Sequence, residues 1–206
     1  GAPTGKGLLF LDPPPAANLA QAQAVLKRLE ATNDNGQLTP QGRAMAALPI
    51  HPRLAHMIMK GQQLGLGASA CELAAILEER DLLFTGADKD VDLTTRIDAV
   101  HQQSSQRTGV SERVASQTQR LMETIGQSSV DRQSDAGGLL LALAYPERIA
   151  RKRPERTGSY QLSGGGVAVL PAGSLLARSE YLAIADLDAG SETARIYLAA
   201  SVSESE

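Results

Sequence analysis

The period of the hydrophobic residues changes once along this 206-residue chain, near Pro146. Before Pro146, apolar residues recur every three or four positions, which is the spacing of one face of an α-helix. After it, short apolar runs flank a triple glycine, a pattern typical of a β-hairpin. Strands are expected over 160–162, 167–170, 182–187 and 194–199. We therefore predict a mainly α chain with a C-terminal β domain (α+β), in which residues 146–206 form a small, partly open barrel.

The composition limits how such a chain can build its core. Aromatic residues supply only 3% of the chain, with no Trp, against 42% apolar residues. The core must then consist of Leu, Ala, Ile and Val, which favours closely packed helices. No apolar run reaches the roughly 18 residues of a membrane-spanning helix, so no membrane association is expected. The single Cys71 excludes an intrachain disulfide and indicates a reducing compartment, which we expect to be the cytoplasm.

Residues 1–66 contain short helical patterns separated by prolines. The three consecutive prolines at 13–15 can continue neither a helix nor a central strand, so they form an extended connector. A helix is expected from 16 to about 31, with one apolar face formed by Leu19, Ala22, Leu26 and Leu29. Thr39 is expected to cap a short helix that begins at Pro40, and another helix begins at Pro52. These patterns predict a small helical or winged-helix module.

Residues 67–145 hold further helical patterns and are predicted to form a helical bundle. The first pattern is carried by Ala70, Leu73, Ala74 and Leu77. Cys71 lies near this apolar face and is expected to act as a small core residue. Asp92 is expected to cap a second helix and Ser111 a third. The inward residues of the third helix are predicted to be Val114, Thr118, Leu121 and Ile125. The stretch 139–144 is apolar on nearly every side, so its helix is expected to be buried.

Two glycine-rich stretches resemble phosphate-binding loops without matching them. In residues 1–7 the Walker A spacing is one residue short, and Gly7 replaces the Ser or Thr that binds magnesium. In residues 65–70 a G-x-G-x-x-A pattern follows an amphipathic helix, whereas the dinucleotide fingerprint follows a buried strand. The three histidines have no metal-ligand spacing. We therefore expect no catalytic residue, no metal and no cofactor in this chain, and no ATP hydrolysis by it alone.

One local cluster of positive charge contrasts with the net charge of −3. Five cations fall within nine residues, and we call them the basic segment: Arg148, Arg151, Lys152, Arg153 and Arg156. Only Glu147 and Glu155 oppose them. Two interpretations stay open: a solvated linker before the barrel, or a contact to nucleic-acid phosphates, which needs Lys and Arg in no particular spacing. The nearby Tyr160 could stack on a base, but a single Tyr at a strand start is more often a core residue.

Several motifs resemble the C-terminal region of DEAH-box helicases. The winged-helix part of that family is matched by D-P-P-P at 12–15, by L-T-x-x-G-R-x-M-A at 38–46 and by x-P-R-L at 51–54. Residues 70–79 resemble the opening helix of the family's ratchet bundle. Residues 141–150 resemble the segment that leads into its oligonucleotide-binding (OB)-like barrel. The stretches most similar to the bacterial HrpB branch are 143–153 and 160–162.

The resemblance implies a winged-helix module at 1–66, a helical ratchet bundle at 67–145 and an OB-like barrel at 146–206. It also implies an accessory, non-motor region of an ATP-dependent RNA helicase, which helps to line a channel for single-stranded RNA, with DNA left open. In the family, two RecA-like motor domains hold ATP and Mg, and their motifs are absent here. The chain is then expected to be part of a longer protein whose motor domains are its partners. The first winged-helix helix is expected to be missing or truncated before Leu8.

Two alternatives belong to other functional classes. A stand-alone winged-helix regulator would read DNA through a basic recognition helix, whereas the helix expected from Pro40 to Leu48 carries only Arg43. A protein-interaction scaffold, in which the barrel docks a partner protein, is excluded by no residue pattern. The residues that precede Gly1 in a longer protein would separate these alternatives from the helicase interpretation.

Overall fold

A computed structural model describes residues 12–79, 90–104, 109–127, 136–154, 156–188 and 193–203. The chain divides into two compact units, Gly1–His56 and Met57–Glu206. In the described ranges every α-helix precedes Pro146 and every named strand follows it, as the change of hydrophobic period predicts. The finer division at 66 and 145 stays a prediction.

Helix α1 of the first unit spans Ala16–Arg28 and ends in a Schellman motif. The N–H of Ala31 donates to the carbonyl of Leu26 at 2.9 Å, and the N–H of Glu30 donates to that of Lys27 at 3.0 Å. Glu30 has a φ of 56°, the left-handed conformation that usually selects Gly at this position. This turn ends the helix earlier than the predicted residue 31.

Most of the apolar face predicted for α1 is not covered by other described residues of its unit. The helix contains no buried residue. Leu19 and Leu26 are half-buried beside the turn at 32–36, and Ala22 is exposed. Leu29 alone is fully buried, and it lies in the turn that follows the helix. The Schellman turn therefore moves Leu29 off the predicted helical face.

Helix α2 spans Pro40–Ala46 and begins as the sequence predicts. The side-chain oxygen of Thr39 accepts a hydrogen bond from the N–H of Gly42 at 2.9 Å, which confirms Thr39 as the N-cap. Gly42 packs directly against the backbone of Ala31, where any Cβ would overlap the carbonyl oxygen. The close approach of these two backbone segments therefore requires glycine at position 42.

The second unit contains a helical bundle, to which we assign four helices: α4 (Gly67–Glu78), α5 (Leu93–Ser104), α6 (Gly109–Thr124) and α7 (Gly137–Ala144). Helix α3 (Pro52–Gln63) contains the boundary between the two units. Ten consecutive residues of α4, from 67 to 76, are buried, so α4 is the centre of the bundle. Cys71 is fully buried among them, which confirms it as a core residue.

Two helix starts in the bundle were predicted from capping residues, and one prediction was wrong. The Asp92 carboxylate accepts from the N–H of Thr94 at 2.9 Å, which confirms Asp92 as the cap of α5. Ser111, in contrast, is buried inside α6, which already begins at Gly109. Capping preference is a local signal, and packing of the Ser111 side chain into the bundle overrides it. The predicted inward residues are otherwise found: Val114, Thr118 and Leu121 are buried, and Ile125 is half-buried.

The barrel consists of five strands: β1 (Ile149–Lys152), β2 (Ser159–Leu162), β3 (Val167–Val169), β4 (Tyr181–Leu187) and β5 (Thr193–Val202). The sheet closes in the order β1-β2-β3-β5-β4, so the prediction of a partly open barrel was wrong. Closure depends on the ten-residue β5, which pairs with β3 through residues 193–195 and with β4 through 196–202. Strand β1 was not predicted, because it falls within the basic segment, where no apolar alternation is visible.

Tyr160 lies at the centre of the barrel core and is fully buried, so its interpretation as a core residue is confirmed. Its hydroxyl lies 2.9 Å from the carbonyl oxygen of Leu176 and 2.8 Å from that of Ser179. Burial raises the pKa of Tyr160 to about 12. Across the described parts of the chain, none of the helices combines the length and the apolar character needed to cross a bilayer.

Candidate nucleic-acid interface

Strand β1 places part of the basic segment on the wall of the barrel. Side chains alternate along a strand, and here Ala150 points into the core while Arg151 is exposed. In register, Arg151 lies opposite Gln161 on β2 and opposite Tyr181 on β4. Arg151 therefore stands in the middle of the outer surface of three paired strands.

Arg148 and Lys152 are tied into the framework of the barrel. A guanidinium nitrogen of Arg148 donates to the carbonyl of Ala185 on β4 at 2.6 Å, and the group lies 5.0 Å from the ring centre of Tyr145. The Lys152 ammonium donates to the carbonyl of Ala177 at 2.7 Å. Both side chains are only partly exposed. Arg148 thus ties the residue before β1 to β4, and Lys152 ties the end of β1 to the segment that precedes β4. Binding a phosphate would require either side chain to break its contact.

The side-chain contacts of Arg151 are easier to replace than those of Arg148 and Lys152. Its Nε lies 3.2 Å from Oε1 of Glu180, with 68% of the Arg151 side chain and 56% of the Glu180 side chain exposed. Its guanidinium also lies 5.8 Å from the ring centre of Tyr181. An ion pair this exposed contributes about 0–1 kcal/mol to stability. A phosphate could therefore replace the carboxylate at little cost to the fold.

Arg153 and Arg156 lie on the turn between β1 and β2. The N–H of Arg153 donates to the carbonyl of Ser159, and the N–H of Ser159 donates to that of Arg156, both within 3.1 Å. The Arg153 side chain is half-buried and that of Arg156 is exposed. Glu155 lies outside the described residues. The structure thus gives the five cations different surroundings, with Arg151 and Arg156 the most exposed of the set.

Another exposed cation on the barrel was not among the predicted site residues. Arg195 points outward from β5, and its guanidinium lies 5.6 Å from the ring centre of Tyr197, which is 42% exposed. The alternation along β5 could have indicated this pair. Two carboxylates lie close by on the chain: Asp188 accepts from the N–H of Arg195 at 2.6 Å, and Asp186 on β4 is exposed. These negative charges disfavour phosphate binding on this part of the surface.

The described residues offer little for covalent or metal chemistry. Among them, no three His, Cys, Asp or Glu side chains lie close enough to hold a metal ion. Burial raises the pKa of Cys71 to about 12, so its thiol stays protonated at neutral pH and is a poor nucleophile. His101 contacts the carboxylate of Glu72 at 3.1 Å, which joins α5 to α4 inside the bundle.

Comparison with known proteins places these observations in one family. The model of the winged-helix part of the helicase-associated domain (HA2) matches residues 22–50. ATP-dependent RNA helicase HrpB of Escherichia coli is 35% identical over 192 residues, which are 92% of this chain and 22% of HrpB. The splicing-factor ATP-dependent RNA helicase prp22 of Schizosaccharomyces pombe is 38% identical over 68 residues, 33% of this chain and 6% of prp22.

Solved structures agree over nearly the whole chain. A crystal structure of the E. coli DExH-box NTPase HrpB has a TM-score of 0.77 at 34% identity and covers 94% of this chain. The chain belongs to the HrpB-like DEAH-box helicases, as their C-terminal region. A second crystal structure, of the E. coli DEAH/RHA helicase HrpB, has a TM-score of 0.77 at 31% identity over 95% of this chain. The chain spans about a fifth of the length of HrpB, 22–23% in these structures.

Proposed function

We propose that this HrpB-like region is a non-motor part of an ATP-dependent RNA helicase whose barrel contacts single-stranded RNA beside the motor. The observation that carries the proposal is the likeness to the RNA helicase HrpB, which runs over 92% of this chain. Because the chain spans only 22% of HrpB, RecA-like motor domains outside it are proposed to bind ATP and Mg. DNA is left open as a second substrate, and the cytoplasm is the proposed location.

The contact surface that we propose is centred on Arg151. Its guanidinium can exchange an exposed carboxylate, that of Glu180, for a phosphate oxygen, and Arg binds phosphate through two parallel hydrogen bonds. Arg156 on the adjoining turn supplies a second exposed cation. Arg148 and Lys152 position the strand instead, because each donates to a backbone carbonyl of the barrel. The closed five-stranded barrel supports an OB-like assignment of residues 146–206.

The proposal is tested by measuring RNA binding in salt. Fluorescence anisotropy of a labelled single-stranded RNA is titrated with the parent chain and with an Arg151→Gln/Arg156→Gln variant at several salt concentrations. Each phosphate contact contributes a slope of about −0.7 in log K against log salt for a single strand. Removing two contacts should therefore flatten the slope by about 1.4, without a change in sequence preference, because phosphate contacts do not read bases.

The matched control is an Arg120→Gln/Arg195→Gln variant. It removes the same charge from exposed positions outside the basic segment, and it should lower affinity only slightly. If the two double variants flatten the slope by the same amount, general charge governs binding and the proposed surface is wrong. If neither differs from the parent at any salt concentration, the basic segment is structural and the barrel contacts no RNA. The likeness to helicases over 92% of the chain does not favour a stand-alone winged-helix regulator.

A further inference from the structure

Residues 90–92, which we call the strap, cross from the bundle to the barrel. They lie directly before α5 and run parallel to β5, with Asp92 opposite Ala199. The N–H of Ala199 donates to the carbonyl of Val91 at 2.8 Å. The pairing of β3 with β5 ends at Arg195, so the strap covers a part of β5 that β3 leaves open. The Val91 side chain is 4% exposed and belongs to the barrel core. The strap therefore contributes Val91 to the barrel core and a backbone hydrogen bond to β5.

Arg96 on α5 makes a second connection between the two parts. Its guanidinium lies 3.5 Å from the carbonyl oxygen of Tyr197 on β5. Burial lowers the pKa of Arg96, while the carboxylates of Asp186 and Asp90 raise it. The guanidinium therefore lies close enough to interact with carboxylates on β4 and on the strap, as well as with β5. Asp90 in turn accepts from the hydroxyl of Thr95 at 2.7 Å, which fixes the strap to the first turn of α5.

Helix α7 makes the third connection through a position that tolerates no side chain. Gly138 lies against the backbone of β5, and a Cβ at this position would overlap the carbonyl oxygen of Ser201. The next residue along the chain offers a contrast. A Cβ on Gly137 would meet only methyl groups of Ile97 and Leu93, each at 3.7 Å, an ordinary van der Waals contact.

We propose that the strap, Arg96 and Gly138 make the bundle and the barrel one cooperative unit, in which neither part opens without the other. The proposal does not depend on RNA binding. It has a mechanical consequence, because a displacement applied to the bundle is delivered to β5 through three separate contacts. The predicted boundary at residue 145 is then a change of secondary structure inside one unit.

Native-state hydrogen exchange on the full 206-residue chain tests the proposal. The slowest amides of α4 and the slowest amides of β4 should open with the same free energy, because they open together. Gly138→Ala should speed their exchange by the same factor, about ten- to a hundredfold, since the new methyl group must displace β5. The control Gly137→Ala should leave both sets unchanged or slow them slightly, since Ala favours the helix.

Val91→Ala provides the second variant, in case Gly138→Ala fails to fold. It removes two methyl groups that the strap inserts into the barrel, so direct loss is confined to the barrel core. Cooperative opening requires α4 amides to exchange faster by the same factor as β4 amides. If Val91→Ala or Gly138→Ala speeds exchange in the barrel and leaves α4 unchanged, the two parts open independently and the proposal is wrong. The outcome of the RNA-binding experiment does not affect how either variant is interpreted.

Discussion

Helices α1 and α4 have nearly the same length, 13 and 12 residues, and both have apolar residues at helical spacing. Their surroundings differ completely. Helix α1 has no buried residue, whereas ten residues of α4 are buried. Helical spacing therefore predicted both helices, but it did not predict how much each is stabilised by packing. Most helical stability in proteins comes from tertiary packing, so substitutions in the two helices should have different effects.

The largest expected difference comes from the same substitution in both helices. Leu73→Ala in α4 should lower the free energy of unfolding by about 2–5 kcal/mol, because Leu73 is 2% exposed and its loss leaves a cavity. Leu19→Ala in α1 should cost less than about 1 kcal/mol, because Leu19 is only half-buried. Urea unfolding followed by circular dichroism measures both values. Equal costs would mean that α1 is packed as tightly as α4, and the comparison would fail.

The same difference in burial should make a thiol in α1 more reactive than the thiol in α4. Cys71 in α4 has its pKa raised to about 12, so little thiolate forms below pH 10. In an Ala22→Cys/Cys71→Ala variant the only thiol is on the exposed side of α1 and should have an ordinary pKa of about 8.5. At pH 8 this thiol should react with iodoacetamide at least about a hundredfold faster than Cys71.

The pH dependence of the alkylation rate shows which of the two thiols has the higher pKa. The rate at position 22 should rise with pH and level off above about pH 9, whereas the rate at Cys71 should still rise at pH 11. Comparable rates and midpoints for the two thiols would show that α4 opens readily, contrary to the burial of its ten residues.

The smallest expected effect is stabilising and lies at the end of α1. Glu30 has a left-handed φ of 56°, which is strained for a residue with a Cβ. Glu30→Gly should relieve this strain and raise the free energy of unfolding by about 0.5–1 kcal/mol. Glu30→Ala keeps the Cβ and serves as the control, with no gain expected. A loss of stability in Glu30→Gly would show that the Glu30 side chain contributes more than the turn geometry does.

Local signals predicted the features that depend on residues close together in sequence. The cap at Thr39, the cap at Asp92 and the hairpin of β2 and β3 all follow from residues within a few positions of one another. Ser111 failed as a cap because its side chain packs into the bundle, which no local pattern records. The basic segment was visible as composition, but composition could not separate Arg151 from Lys152. Only their positions on β1 show that one is exposed and the other donates to a backbone carbonyl.

The sequence by itself determined that helices precede strands, the caps at Thr39 and Asp92, the core position of Tyr160 and the family to which the chain belongs. The tertiary structure decided that β1 is a strand, that the barrel closes, and that Val91 joins the barrel core. The physical reason is the distance along the chain over which each feature is formed. A helix turn is completed by residues four apart, whereas Val91 and Ala199, which share a backbone hydrogen bond, lie far apart along the chain.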